Sequence, residues 1–185
     1  MIKAEKTGQF TLYVLLLVTV IPLVFAIVMY FGNWLVPSSS TNNGQLLLPP
    51  ANIESLSLED TQGSPWPAVG QPLTWLMLYY ESQPCQDTCV EQMRLMRQVH
   101  IALGKESGRI QRVLVLPDFS ENMKLEQQYP YLQLLRSYHP DQFAMGKGLY
   151  IVDPNGNVMM YYPANDIGQA VRKDLKKLLR NSKIG

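Results

Sequence analysis

The chain carries two cysteines, Cys85 and Cys89, both inside the stretch SQPCQDTCVEQM. If the segment is helical, a spacing of four puts both sulfurs on one face with Cα atoms about 6 Å apart, inside the roughly 4.4–6.8 Å that a disulfide spans. A structural staple, a redox pair and a metal clamp all fit this spacing. As a staple the pair does little, because closing a ring of about five residues restricts the unfolded chain by about 2 kcal/mol, against nearly 5 for about a hundred. A domain of this length also buries enough apolar surface without one. As a metal clamp, two thiolates suit a soft, low-coordinate ion, Cu(I) first, whereas structural zinc takes four ligands. Spacing alone favours redox chemistry over copper.

The elements that position the pair follow from hydrophobic pattern. LTWLMLYY, residues 73–80, is an apolar, aromatic-rich run expected as a strand buried on both faces. A loop carrying the cysteines leads into VEQMRLMRQVHIAL, where Cys89, Met93, Met96, Val99, His100 and Leu103 recur at helical spacing and Gly104 ends the helix. The cysteines therefore fall where a strand gives way to a helix. Free backbone N–H groups and the helix dipole favour thiolate there, and such settings lower a cysteine pKa from about 8.5 to between roughly 3.5 and 7.5. RVLVL is a second buried strand, PDFSEN opens a helical region, and Pro130 fits the first turn of a helix through YLQLLRSY. LYIV and VMMYY, separated by DPNG, predict a hairpin, and IGQAVRKDLKKLLR predicts a closing helix. The order strand, helix, strand, helix, strand, strand, helix implies an α/β, thioredoxin-like mixed sheet flanked by helices over residues 46–185. Its first part, LLLPPANIESLSLEDTQGSPW, reads as an irregular lead-in or a short hairpin.

Ahead of this domain, Phe10–Phe31 has no charged residue and is long enough to cross a hydrocarbon core about 30 Å thick. Lys3 and Lys6 precede the run and no Lys or Arg follows until Arg94, which places residues 1–9 in the cytoplasm and everything after the span outside. A cleaved signal peptide usually has a shorter apolar core and a small-residue cleavage pattern, which GNWLVPSSS lacks. The expected organisation is a single-pass anchor over 10–31 in the inner (cytoplasmic) membrane, a linker over 32–45, and a soluble domain on the periplasmic or other extracytoplasmic side, where disulfides persist. Leaving out Lys3, Glu5 and Lys6, 14 basic and 14 acidic residues remain, so the exported part is neutral and nucleic acid is not an expected partner. The one local bias is VRKDLKKLLRNSK, read as a solvated helix face with cations near the C-terminal end of the dipole, or as a contact for anionic lipid or an acidic partner.

On these residues the chain resembles the Sco/SenC family of membrane-anchored, thioredoxin-like copper chaperones for cytochrome c oxidase assembly. LTWLMLYYESQPCQDTCVEQM is similar to that family's strand, loop, C-x-D-x-C and helix, with Asp87 in the middle acidic position, and the anchor, VLVLPD and GLYIVDPNGNVMMYY match in order. The resemblance implies copper carriage or thiol-disulfide exchange through Cys85 and Cys89, with an oxidase subunit or another copper or thiol assembly factor as partner. Two positions depart from the family pattern: Val90 stands where proline usually follows the second cysteine, and Met145 stands where the family has its histidine ligand. Three readings follow. Met145 replaces the histidine, since a thioether suits Cu(I); His139 swings in; or copper is not held and thiol exchange remains. The competing functional class is a non-catalytic, oxidase-associated binding module whose cysteines form a structural disulfide. His100 is expected to be structural, and Met93, Met96, Met159 and Met160 to fill core positions.

Overall fold

A computed structural model of the chain describes residues 2–32, 42–68, 70–119, 125 and 128–182, which fall into two units, Met1–Thr41 and Asn42–Gly185. The first is helix α1, Ile2–Phe31, in which Gln9–Phe31 is long and apolar enough to cross a membrane. Its apolar side chains are exposed around the axis, an arrangement that suits a lipid environment and not water. Within it Pro22 has no N–H to give the Val18 carbonyl. The Thr19 hydroxyl is satisfied by the carbonyls of Leu15 and Leu16, at 3.1 and 3.0 Å.

The second unit is built on one mixed sheet of eight strands: β1 Gln45–Asn52, β2 Leu58–Glu59, β3 Pro65–Trp66, β4 Trp75–Tyr80, β5 Ile110–Leu116, β6 Leu132–Ser137, β7 Gly148–Val152 and β8 Asn157–Pro163. Their order across the sheet is β1-β8-β7-β4-β5-β6-β2-β3. Strand β4 is buried at every residue; it runs parallel to β5, with Trp75 beside Ile110, and antiparallel to β7, with Tyr80 beside Gly148. Its alternate side chains divide the core. Trp75, Met77 and Tyr79 join the apolar stripes of helices α2, Asp87–Ala102, and α3, Gln169–Asn181, through Cys89, Met93, Met96, Val99, Val171, Leu175 and Leu179. Leu76, Leu78 and Tyr80 join a second cluster with Ile53, Leu56, Trp66 and Phe143. This is the thioredoxin-like mixed sheet with flanking helices that the sequence implies.

One expected element is different. YLQLLRSY, expected as a helix, is strand β6, paired parallel to β5 with Arg112 beside Leu132 and Leu114 beside Leu134. A short apolar run does not by itself distinguish strand from helix. Here a place beside β5 overrides the helix preference of leucine: Leu132 and Leu134 enter the first cluster and Leu135 the second. Tyr131, in the left-handed region at φ 64°, turns the chain into the strand. Residues 120–122 of PDFSEN, expected to open a helix, lie outside the described residues, as do residues 33–41 of the expected linker. In the lead-in, β1 pairs with β8, and β2 and β3 form a small hairpin with Leu58 beside Trp66. The DPNG hairpin forms as expected: the Asp153 carboxylate accepts from the backbone N–H groups of Asn155 and Asn157 at 2.9 and 2.8 Å. Gly156 in that turn has φ 84°, and a Cβ there would press on Ile53.

A single carboxylate ties the start of the domain to its last helix. Asp174 of α3, 3% exposed, accepts from Asn43 N–H at 2.7 Å, Asn43 Nδ2 at 2.9 Å, Gly44 N–H at 3.0 Å and the Tyr162 hydroxyl at 2.7 Å. A Cβ on Gly44 would overlap the Tyr162 ring. Burial pushes the Asp174 carboxyl up, but the hydrogen bonds from Tyr162, Gly44 and Asn43 together outweigh it and hold the group below its ordinary value of 3.8. A carboxyl lowered by folding contributes stability that is complete above the ordinary value and is lost as pH falls through the folded one. Asp174→Ala is therefore expected to cost about 3 kcal/mol in denaturant unfolding at neutral pH. Below pH 3.8 the difference between the two proteins should shrink; a gap that stays constant on acidification would contradict this account.

Candidate functional site

The cysteines sit where β4 leaves the sheet. Glu81 N–H donates to the Val115 carbonyl at 3.0 Å, which holds the chain against β5 for one residue beyond the strand. Ser82–Gln86 then cross to α2, whose N-cap is Gln86. Cys85 stands two residues before the helix, just ahead of the N-cap, and Cys89 at its third position, and the two form a disulfide with Cα atoms 5.2 Å apart. They are not equally accessible: Cys89 is 1% exposed within the first core cluster, whereas Cys85 is half-buried and packs against the edge of that cluster. The Gln86 side chain makes no capping hydrogen bond, and the first helical bond runs from Val90 N–H to the Gln86 carbonyl at 3.0 Å. The backbone N–H groups of Asp87, Thr88 and Cys89 therefore precede the helical ladder, and their positive end of the dipole lies at the sulfurs. Asp87 is exposed in the first turn, where a carboxylate is favourable to the helix.

Two residues that sequence reasoning did not single out brace this end of the sheet. The Glu81 carboxylate, with 4% of its side chain exposed, lies 2.7 Å from Nζ of Lys147, which is 39% exposed. Lys147 immediately precedes β7, so the ion pair joins the loop that carries Cys85 to the loop before β7. An acid directly following an apolar run, as in LYYE, was the available signal. Behind the pair, the Tyr79 hydroxyl is buried and has no hydrogen-bond partner among the described residues. Burial, reinforced by Glu81 and Tyr161, pushes the phenol above its ordinary range, and it stays neutral.

The other candidates lie elsewhere. Met145 is partly buried against the second cluster, built from the opposite set of β4 side chains to the one that receives the cysteines. Its loop is pinned by hydroxyl donation from Tyr150 to the Gly146 carbonyl at 2.7 Å and from Tyr161 to the Lys147 carbonyl at 2.8 Å. His139 is exposed and caps the 3-10 turn Pro140–Gln142. His100 places Nε2 at 2.9 and 3.1 Å from the carbonyls of Ser107 and Ile110, a structural tie. Met93, Met96 and Met160 are core residues, and Met159 packs partly buried against the same cluster. Among the described residues, no three His, Cys, Asp or Glu side chains come together as a metal site.

A mixed sheet with a cysteine pair at the start of the helix after its central strand defines a thioredoxin-like protein. The family described as transmembrane-like, thioredoxin-like, C-terminal domain matches residues 75–182, and the chain belongs to it. Among curated proteins no relative matches. Among solved structures, yeast Sco1 with copper bound aligns with a TM-score of 0.55 at 13% identity, covering 78% of this chain and 96% of that one. Apo Sco1 from Thermus thermophilus aligns at 0.54 and 18% identity, covering 78% and 98%. A SCO1/SenC family lipoprotein from Bacillus anthracis aligns at 0.52 and 19% identity, covering 72% and 97%. At these identities the likeness is one of fold.

The brace yields a direct expectation. Lys147→Ala leaves the Glu81 carboxylate buried without its cation and should cost about 2–3 kcal/mol, discounted for the partly exposed lysine, whereas Glu81→Gln should cost less. Urea unfolding of the two variants checks the order; an equal or reversed ranking would mean the pair is not what holds these loops together.

Proposed function

We propose that the chain is a membrane-anchored, Sco-like accessory protein that acts through Cys85 and Cys89 as a thiol-disulfide reductant, a Cu(I) carrier or both. In this reading α1 spans the inner membrane, the domain faces the periplasm or its equivalent, and the partner is a cytochrome c oxidase subunit or another copper or thiol assembly factor. The observation that carries the proposal is the unequal burial of two sulfurs at an uncapped helix start. For Cys85 the positive end of the helix dipole acts on a sulfur near solvent, a setting that favours thiolate once the pair is reduced. For Cys89 the same field is opposed by desolvation among Tyr79, Met93 and Met96. Cys85 is thus the attacking thiolate. Its sulfur bonds to one sulfur of a partner disulfide, whose other sulfur leaves as thiolate. Cys89, on losing its proton, then attacks Cys85 in the mixed disulfide, which closes the pair and releases the partner with two electrons gained.

The donor set also fits copper as cargo. Two thiolates at this separation offer a soft, low-coordinate site for Cu(I) once the pair is reduced. Met145 as a third ligand would have to leave its packing on the second cluster, so binding through the two thiolates alone is the simpler expectation. The functional likeness to Sco proteins rests on fold and on this site together.

Two measurements test the proposal. Cys89→Ser should trap a mixed disulfide with a small disulfide substrate and Cys85→Ser should not. A wild-type reduction potential below about −300 mV would instead identify an inert bridge. Anaerobic titration of the reduced protein with Cu(I) against a chelator should show one equivalent bound, lost in either serine variant and retained in Met145→Ala. No stoichiometric binding would remove the copper role, and loss in Met145→Ala would restore the methionine as ligand.

A further inference from the structure

The Tyr79 side chain is 0% exposed, yet among the described residues its hydroxyl has no hydrogen-bond partner. Other tyrosines of the domain use theirs: Tyr150 and Tyr161 donate to the carbonyls of Gly146 and Lys147, and Tyr162 donates to the Asp174 carboxylate. Phenylalanine would fill the same place without leaving a buried donor orphaned, which is costly in an apolar core. The hydroxyl therefore calls for a partner that the disulfide-bonded form does not supply.

The surroundings of Tyr79 narrow the choice. Its side chain lies in the first core cluster with Cys89, Met93 and Met96. Its strand neighbours there are Leu114 of β5 and Leu149 of β7, whose side chains offer no acceptor. Glu81, two residues further on, is already held by Lys147 at 2.7 Å and by Ser82 N–H at 3.2 Å. Sulfur is left. In the disulfide, Cys89 Sγ is tied to Cys85, which stands before the helix, and a bridged sulfur accepts weakly. Once the bond opens, Cys89 is still packed in the cluster through α2, its Sγ is free to turn, and as a thiolate it becomes a charge-assisted acceptor.

We propose that the Tyr79 hydroxyl donates a hydrogen bond to Cys89 Sγ when the pair is reduced, and so favours the dithiol over the disulfide. The inference rests on the reading of Cys85 and Cys89 as a redox couple. Opening takes two electrons and two protons from a dithiol: the S–S bond breaks, both cysteines become thiols, and the dithiol leaves as a disulfide. Tyr79 supplies none of these; it positions the buried sulfur that results.

The test uses the full chain in detergent micelles, equilibrated with reduced and oxidised dithiothreitol. The equilibrium constant for reduction should fall about threefold or more in Tyr79→Phe. In urea, the oxidised variant should be at least as stable as the oxidised wild type, and the reduced variant less stable than the reduced wild type. An unchanged equilibrium constant, with both forms shifted alike, would show a merely structural hydroxyl and overturn the proposal. The wild type gives an independent reading: reduction should produce a tyrosine band in the near-ultraviolet difference spectrum, absent when reductant is added to Cys85→Ser, where Cys89 is always unbridged. Lack of that band in the wild type would overturn the proposal even if Tyr79→Phe did not fold. Resistance of the wild-type pair to dithiothreitol would overturn the reading of the pair as a redox couple, and the proposal with it.

Discussion

Strand β4 is the constraint from which the rest of the domain takes its register. Its six residues are buried on both sides and along both edges, so neither a charged side chain nor an irregular backbone is accommodated between Trp75 and Tyr80. Every departure from regularity is pushed past Tyr80, where the sheet lets go of the chain. There Glu81 keeps one last hydrogen bond to β5 and a charged partner from the neighbouring loop, and four residues later the first cysteine appears. The site is where it is because the centre of the sheet has no room for it.

The same placement makes the two sulfurs unequal. Cys89 lies one helical turn in, on the face that α2 presents to the sheet with Met93 and Met96. Cys85 lies before the cap and does not take part in the helical stripe. A disulfide across this boundary links a core residue to a loop residue, so opening it changes the freedom of the loop far more than that of the helix. Reactivity is thus graded by burial under one shared dipole.

Much of this was legible from residue pattern. The apolar runs 75–80, 110–116 and 148–152, the DPNG turn and the two amphipathic helices carry their periodicity on the surface of the sequence, and the strand-to-helix position of the cysteines followed from them. Segment 132–137 did not, because its leucines serve either geometry and only the vacancy beside β5 decides between them. Strand β1 was hidden for a related reason: it is an edge strand containing Pro49 and Pro50, exposed along most of its length. Pairing of Glu81 with Lys147, and of Asp174 with Asn43 and Gly44, joins residues far apart in sequence. Such contacts leave no periodic trace. The cysteine pair was visible as chemistry, whereas its asymmetry needed the packing of the core.

The anchorage of Asn43 and Gly44 on Asp174 also bears on how the domain withstands mechanical load. Any tension along the linker reaches the domain at this knot of hydrogen bonds, before it reaches Gln45 and the exposed edge strand that follows. Pulled directly, β1 would peel from β8 one hydrogen bond at a time, the weakest way to load a sheet. With the knot in place, the force is passed into α3, and through its apolar stripe into the core. The carboxylate works as a strain relief, like the clamp that keeps a cable from being drawn out of its socket.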